Sequence, residues 1–85
     1  MDIREQFGRT LREIRTAQGL TQEELAFRAS MNVTYLSDLE RGRWNPSLAM
    51  IVDLARGLDV HPSDLLKQIT VDAEVPPTTR KKPRD

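Results

Sequence analysis

Ile3, Phe7, Leu11 and Ile14 stand four, four and three residues apart, which places them on one stripe of a helix over 2–18. Asp2 suits its N-cap, and Gly19 suits the left-handed residue beyond its end. Thr21 and Glu24 of "TQEEL" form a capping box for a second helix over 22–29, with Leu25, Ala26 and Ala29 inward. Asn32 is the next N-cap and Gly42 the next stop, so a third helix runs over 33–41. Only Ser30, Met31 and Asn32 join it to the second. "RWNPS" (43–47) reads as a loop, because Pro46 disfavours helical backbone at Asn45. A fourth helix over 47–56 turns Leu48, Ile51, Leu54 and Ala55 inward and ends at Gly57. "LDVHPSDLL" opens a fifth, with His61 as N-cap, Pro62 first in the helix and Asp64 favouring the N-terminal dipole. No strand pattern and no internal repeat interrupts this order.

The third helix carries the most informative pattern. At about 100° per residue from Val33, the positions Val33, Ser37, Arg41, Thr34 and Asp38 span roughly 0° to 140°. Tyr35, Leu39, Leu36 and Glu40 span the opposite side, roughly 200° to 340°. One half is built to pack. The other is short, hydrogen-bonding and closed by an arginine. A major groove admits one helix, and short side chains let its backbone approach the base edges.

Composition narrows the alternatives. The 85 residues suit one small domain, and 31% charged with 38% hydrophobic is ordinary for a globular chain. Thirteen basic residues balance 13 acidic ones, which counts against a non-specific nucleic-acid coat but permits one basic face. Cysteine is absent and His61 is the only histidine, so neither disulfide, metal site nor other cofactor is expected. The N-terminal "MDIREQFGRTLREIR" holds no apolar run like a secretory signal, and "LAMIV" (48–52) is too short to span a bilayer. A cytoplasmic protein without membrane contact is the expectation. Phosphate-cradling glycine loops, nucleophile elbows and metal-ligand clusters are missing, so an enzyme is not expected. From Thr70 onward "TVDAEVPPTTRKKPRD" reads as a flexible, basic, proline-rich tail (70–85) behind a domain over 1–69.

"GLTQEELA", a short turn, "YLSDLERG", "NPS" and "LDVHPSDLL" occur here at fixed spacing. Together they resemble the helix-turn-helix regulators of the phage-repressor, Cro and Xre type, over about residues 7–69, with the motif at about 22–41. "TYLSDLERG" also looks like the matching stretch of restriction–modification controller proteins. The resemblance implies an all-α, five-helix lambda-repressor-like DNA-binding domain. By position it implies that Val33, Thr34, Ser37 and Asp38 face base edges. Gln22, Asn32, Arg41, Arg43 and Asn45 would meet the DNA backbone, and Tyr35 would lie near it. Arg15 and Glu40 match a buried ion pair between the first and third helices. Two departures stand out: Ser30 where many members have glycine, and Val33 where controller-like members often have arginine.

Several residues keep two readings. Asp38 either accepts from cytosine N4 or pairs with Arg41 or Arg43. Trp44 either donates its indole N–H to a phosphate or covers the loop. Met50, Val52, Leu66 and Ile69 either complete the core or form a two-fold contact. "RKKPR" (80–84) is either a DNA-grasping arm or a solvated end. The expected function is a transcriptional regulator that binds a pseudo-palindromic operator in double-stranded DNA as a homodimer, blocking or recruiting RNA polymerase. The competing expectation is an antitoxin-like protein-interaction module with secondary DNA binding.

Overall fold

The computed structural model describes residues 2–71. Four α-helices follow one another: α1 (Ile3–Ala17), α2 (Gln22–Arg28), α3 (Val33–Glu40) and α4 (Leu48–Leu58). The expected fifth helix is instead a 3₁₀ turn, Pro62–Leu65. His61 caps it as foreseen, its Nδ1 accepting from Ser63 N at 3.0 Å. The bonds that follow are largely of the tighter i→i−3 kind, Leu66 N to Ser63 O and Ile69 N to Leu66 O, both 3.0 Å, so no long α ladder develops. Of the expected tail, residues 72–85 lie outside the described residues, and with them "RKKPR".

Each helix begins on a side chain that accepts from its first N–H groups: Asp2, Thr21, Asn32 and Ser47. The cap acids are strengthened in place. A hydrogen bond from Arg4 holds the Asp2 carboxyl below its ordinary range, and the Thr21 backbone N–H does the same for Glu24.

All four helices end alike, with a left-handed residue followed by an N–H that reaches back five residues. Leu20 N bonds Arg15 O (3.1 Å), Met31 N bonds Ala26 O (2.9 Å), Arg43 N bonds Asp38 O (3.0 Å) and Val60 N bonds Ala55 O (2.9 Å). The left-handed residues are Gly19, Ser30, Gly42 and Asp59. Gly57 therefore does not end α4, contrary to expectation. It is buried within the helix, where a side chain would come 3.1 Å from Leu25 Cδ1 of α2. That close approach lets α4 run on to the fully buried Leu58, and Asp59 (φ 55°) stops it.

The core joins Phe7 and Leu11 of α1, Leu25 of α2, Leu36 and Leu39 of α3, Leu54 and Leu58 of α4, and Leu65 of the 3₁₀ turn. Helix α3 lies against both α1 and α2, while α4 packs on α2 and the 3₁₀ turn. Leu48 is a second correction: expected inward, it is 76% exposed. Counted from Leu48, the buried Leu54, Ala55 and Leu58 sit at roughly 240° to 340°, which leaves Leu48 at the margin of the stripe.

Helices α1 and α3 approach so closely at Gly8 that a Cβ there would collide with the carbonyl oxygen of Leu39 and come 2.6 Å from that of Glu40. Both obstacles are backbone, so a rotamer change cannot relieve them. Gly8→Ala has to push α1 off α3 despite the better helix propensity of alanine. We expect a loss of about 1–3 kcal/mol, read as a lower urea midpoint at unchanged slope.

Candidate nucleic-acid interface

Helix α3 divides as its pattern predicts. Leu36 and Leu39 are fully buried, whereas Val33, Thr34 and Arg41 are exposed, and Ser37 and Asp38 half-buried. The turn before it fixes its position. Ser30 adopts φ 55°, its N–H bonds Phe27 O at 3.2 Å, and Met31 tucks against the core. Glycine is the ordinary residue for such a backbone; serine costs roughly 1 kcal/mol there, and the two carbonyls that the turn satisfies offset that cost. Asn32 Oδ1 then accepts from Thr34 N (2.7 Å) and Tyr35 N (3.3 Å), starting α3 two residues after the left-handed turn.

Behind α3 lies a polar cluster in which every member has a partner. Arg15 Nε donates to Glu40 Oε2 at 2.6 Å and its Nη2 to Oε1 at 3.0 Å, a two-pronged pair with side chains 10% and 4% exposed. Its Nη1 donates to Leu20 O at 2.7 Å. The Glu40 carboxylate raises the Arg15 pKa above its ordinary value. Gln22 completes the group by donating Nε2–H to Glu40 Oε1 at 3.0 Å. The resemblance had implied only a phosphate contact for Gln22; its bond to Glu40 went unforeseen. The available signal was its place as first residue of α2, facing the helix that carries Glu40.

A second cluster forms where the chain leaves α3, at the same end of the helix. Gly42 (φ 78°) turns the chain back, so that the Trp44 ring sits 6.0 Å from the Tyr35 ring at a 36° tilt. Asp38 receives two donors from this loop: Arg43 Nη1 on Oδ1 at 3.3 Å and Trp44 Nε1 on Oδ2 at 3.4 Å. Asp38 thus pairs with Arg43 in the free domain, and Trp44 lies over the loop against Tyr35. Asn45 is exposed beyond them.

The residues proposed for a two-fold contact separate. Met50 and Ile69 pack against the core, whereas Leu66 is 39% exposed and Val52 half-buried. Leu48 stands four residues before Val52 on the same outer stripe of α4. Among the described residues no helix is long and apolar enough to cross a membrane.

Two helices joined through a left-handed turn, the second anchored by leucines and outward-facing on its short polar side, define a helix-turn-helix domain. This chain belongs to the helix-turn-helix family: the family model described as "Helix-turn-helix domain" matches residues 6–68. It is similar to the control protein C.BamHI of Bacillus amyloliquefaciens, at 42% identity over 71 residues, 82% of this chain and 88% of that protein. The crystal structure of the restriction–modification controller protein C.AhdI from Aeromonas hydrophila superposes with a TM-score of 0.72 at 47% identity, covering 73% of this chain and 94% of that one. The hypothetical transcription factor NHTF from Neisseria superposes with a TM-score of 0.73 at 38% identity, over 76% and 75%.

The polar cluster generates a stability test. Glu40→Ala strips the guanidinium of Arg15 of its counter-charge while leaving it buried, and such a loss costs about 3–5 kcal/mol. Denaturant titration should show that drop. The double variant Arg15→Met with Glu40→Leu, which removes both charges, should recover most of it. A double variant as unstable as Glu40→Ala would mean that the charges themselves, rather than their pairing, sustain the fold.

Proposed function

We propose that this protein is a sequence-specific DNA-binding regulator of transcription that lays α3 in the major groove. The observation that carries this is the division of α3: Leu36 and Leu39 lock it from behind, while Val33 and Thr34 are exposed on the opposite side with Ser37 half-buried beside them. Such short side chains bring the backbone near base edges. Val33 and the Thr34 methyl suit a thymine methyl, and the two hydroxyls suit several bases. Gln22 supports the model from the side. Its amide is oriented by Glu40, and its remaining N–H suits a backbone phosphate. Asn32, Arg41, Arg43 and Asn45 flank the same face and serve the backbone. Tyr35, beneath Trp44, sits at its edge.

A domain of this size covers few base pairs, and helix-turn-helix proteins commonly read two half-sites about 34–36 Å apart as dimers. Leu48, Val52 and Leu66 supply apolar side chains for a second copy. The likeness to C.BamHI and C.AhdI supports an operator that governs restriction–modification genes, with the bound dimer blocking or recruiting RNA polymerase.

Selection of bound sites from random duplexes tests the groove assignment. Thr34→Ala and Ser37→Ala should each relax preference at particular base pairs by about 1–3 kcal/mol, while Arg43→Ala should weaken all sequences alike and reduce the salt slope by about 1. Unaltered preference in both hydroxyl variants would mean that another face meets DNA.

The dimer is tested separately by sedimentation. The native protein should run as a dimer, and Leu48→Asp as a monomer with at least tenfold weaker operator binding, about 1.4 kcal/mol. A native protein that stays monomeric both free and on its operator would overturn the two-fold model.

A further inference from the structure

Asp38 stands on the outward half of α3, where an unpaired carboxylate would face phosphates and repel them. Its environment is nevertheless arranged around its charge. Oδ1 is met by Arg43 Nη1 at 3.3 Å, Oδ2 by Trp44 Nε1 at 3.4 Å, and the side chain is only 20% exposed. The backbone repeats the connection, with Arg43 N donating to Asp38 O at 3.0 Å. Trp44 is in turn braced against Tyr35, one helical turn before Asp38 on its flank. Three contacts therefore tie the loop that follows α3 to this one residue, and that loop carries Arg43 and Asn45.

We infer that Asp38 is a positioning residue. It acts on DNA through Trp44 and Arg43, by fixing the loop after α3, and it does not read a base. This rests on the assignment of α3 to the groove and assigns one residue of that face a different task. Trp44 is its working partner: the indole N–H holds the carboxylate in place, away from the phosphates.

The experiment compares native protein, Asp38→Ala, Asp38→Asn, Trp44→Phe and the double variant Asp38→Ala with Trp44→Phe. Each is measured on the duplex selected by the native protein and on a pool randomised around it. Phenylalanine keeps a ring for Tyr35 but lacks the N–H, so Trp44→Phe should weaken binding about threefold or more when Asp38 is present. In the Asp38→Ala background the same change should have no effect. Base preference should be identical in all five proteins, because none of these groups touches a base edge.

A preference altered at one base pair per half-site by Asp38→Ala or Asp38→Asn would make Asp38 a base reader and overturn the inference. So would a Trp44→Phe effect of equal size, including none, in both backgrounds. Native protein with no preference for any duplex would be a different failure, removing the groove assignment and this inference together.

Discussion

The guanidinium of Arg15 is the point through which the domain is organised. It sits on α1, grips Glu40 at the end of α3 through two nitrogens, and gives its third to Leu20 O in the turn that leads to α2. Glu40 receives Gln22 from the first turn of α2. One planar cation thus ties α1 at fixed angles to α3 and to the turn before α2, which an ammonium on a flexible stem would not do. Glu40 extends the connection to α2. Buried ion pairs are poor sources of net stability, since desolvation offsets their attraction. What this pair supplies is geometry. Leucines alone would hold α3 near α1, but apolar packing tolerates sliding and a two-pronged bond does not. The crossing at Gly8 enforces the same registration sterically, only a few residues along the same helix.

Much of this was legible in the chain. The stripe of α1, the capping box at Thr21, the cap at Asn32 and the split of α3 each rest on local spacing, and local spacing survives folding. Where the reading went astray, tertiary contact had overruled it. Glycine marks a helix end when it supplies a positive φ, as at Gly19 and Gly42. At Gly57 it supplies closeness to α2 instead, while the left-handed positions fall to Ser30 and Asp59. Leu48 was assigned inward because its residue type and spacing allow it. Its place at the first turn, on the rim of the stripe, takes it past the end of the core. The segment after His61 has the caps of a helix, yet only Leu65 is buried there, and a single 3₁₀ turn suffices for that.

The outer face was legible in outline and not in its wiring. Which residues of α3 point outward follows from a period of 3.6. Which of them already hold partners does not, because Arg43 and Trp44 lie five and six residues beyond Asp38 and return to it only through the left-handed Gly42. Gln22 shows the same limit. Its type and position fit a phosphate contact, but that its amide is first turned by Glu40 depends on a residue 18 positions away.

These pairings resolve an apparent conflict between charge and function. The chain carries as many acids as bases, and α3 itself contains Asp38 and Glu40, a poor composition for a helix that approaches phosphates. Both acids are answered within the fold. Glu40 is buried on Arg15, and Asp38 is held between Arg43 and the Trp44 indole. No acid lies in the first turn of α3, where Val33 and Thr34 stand. The part of the helix that would enter a groove first is therefore neutral, and the exposed cation Arg41 follows at its end. Attraction to DNA in such a design comes from a few arginines placed around a neutral reading surface. A chain with no net charge would gain little from indiscriminate backbone binding, which agrees with the proposal that one fitted sequence is what it reads.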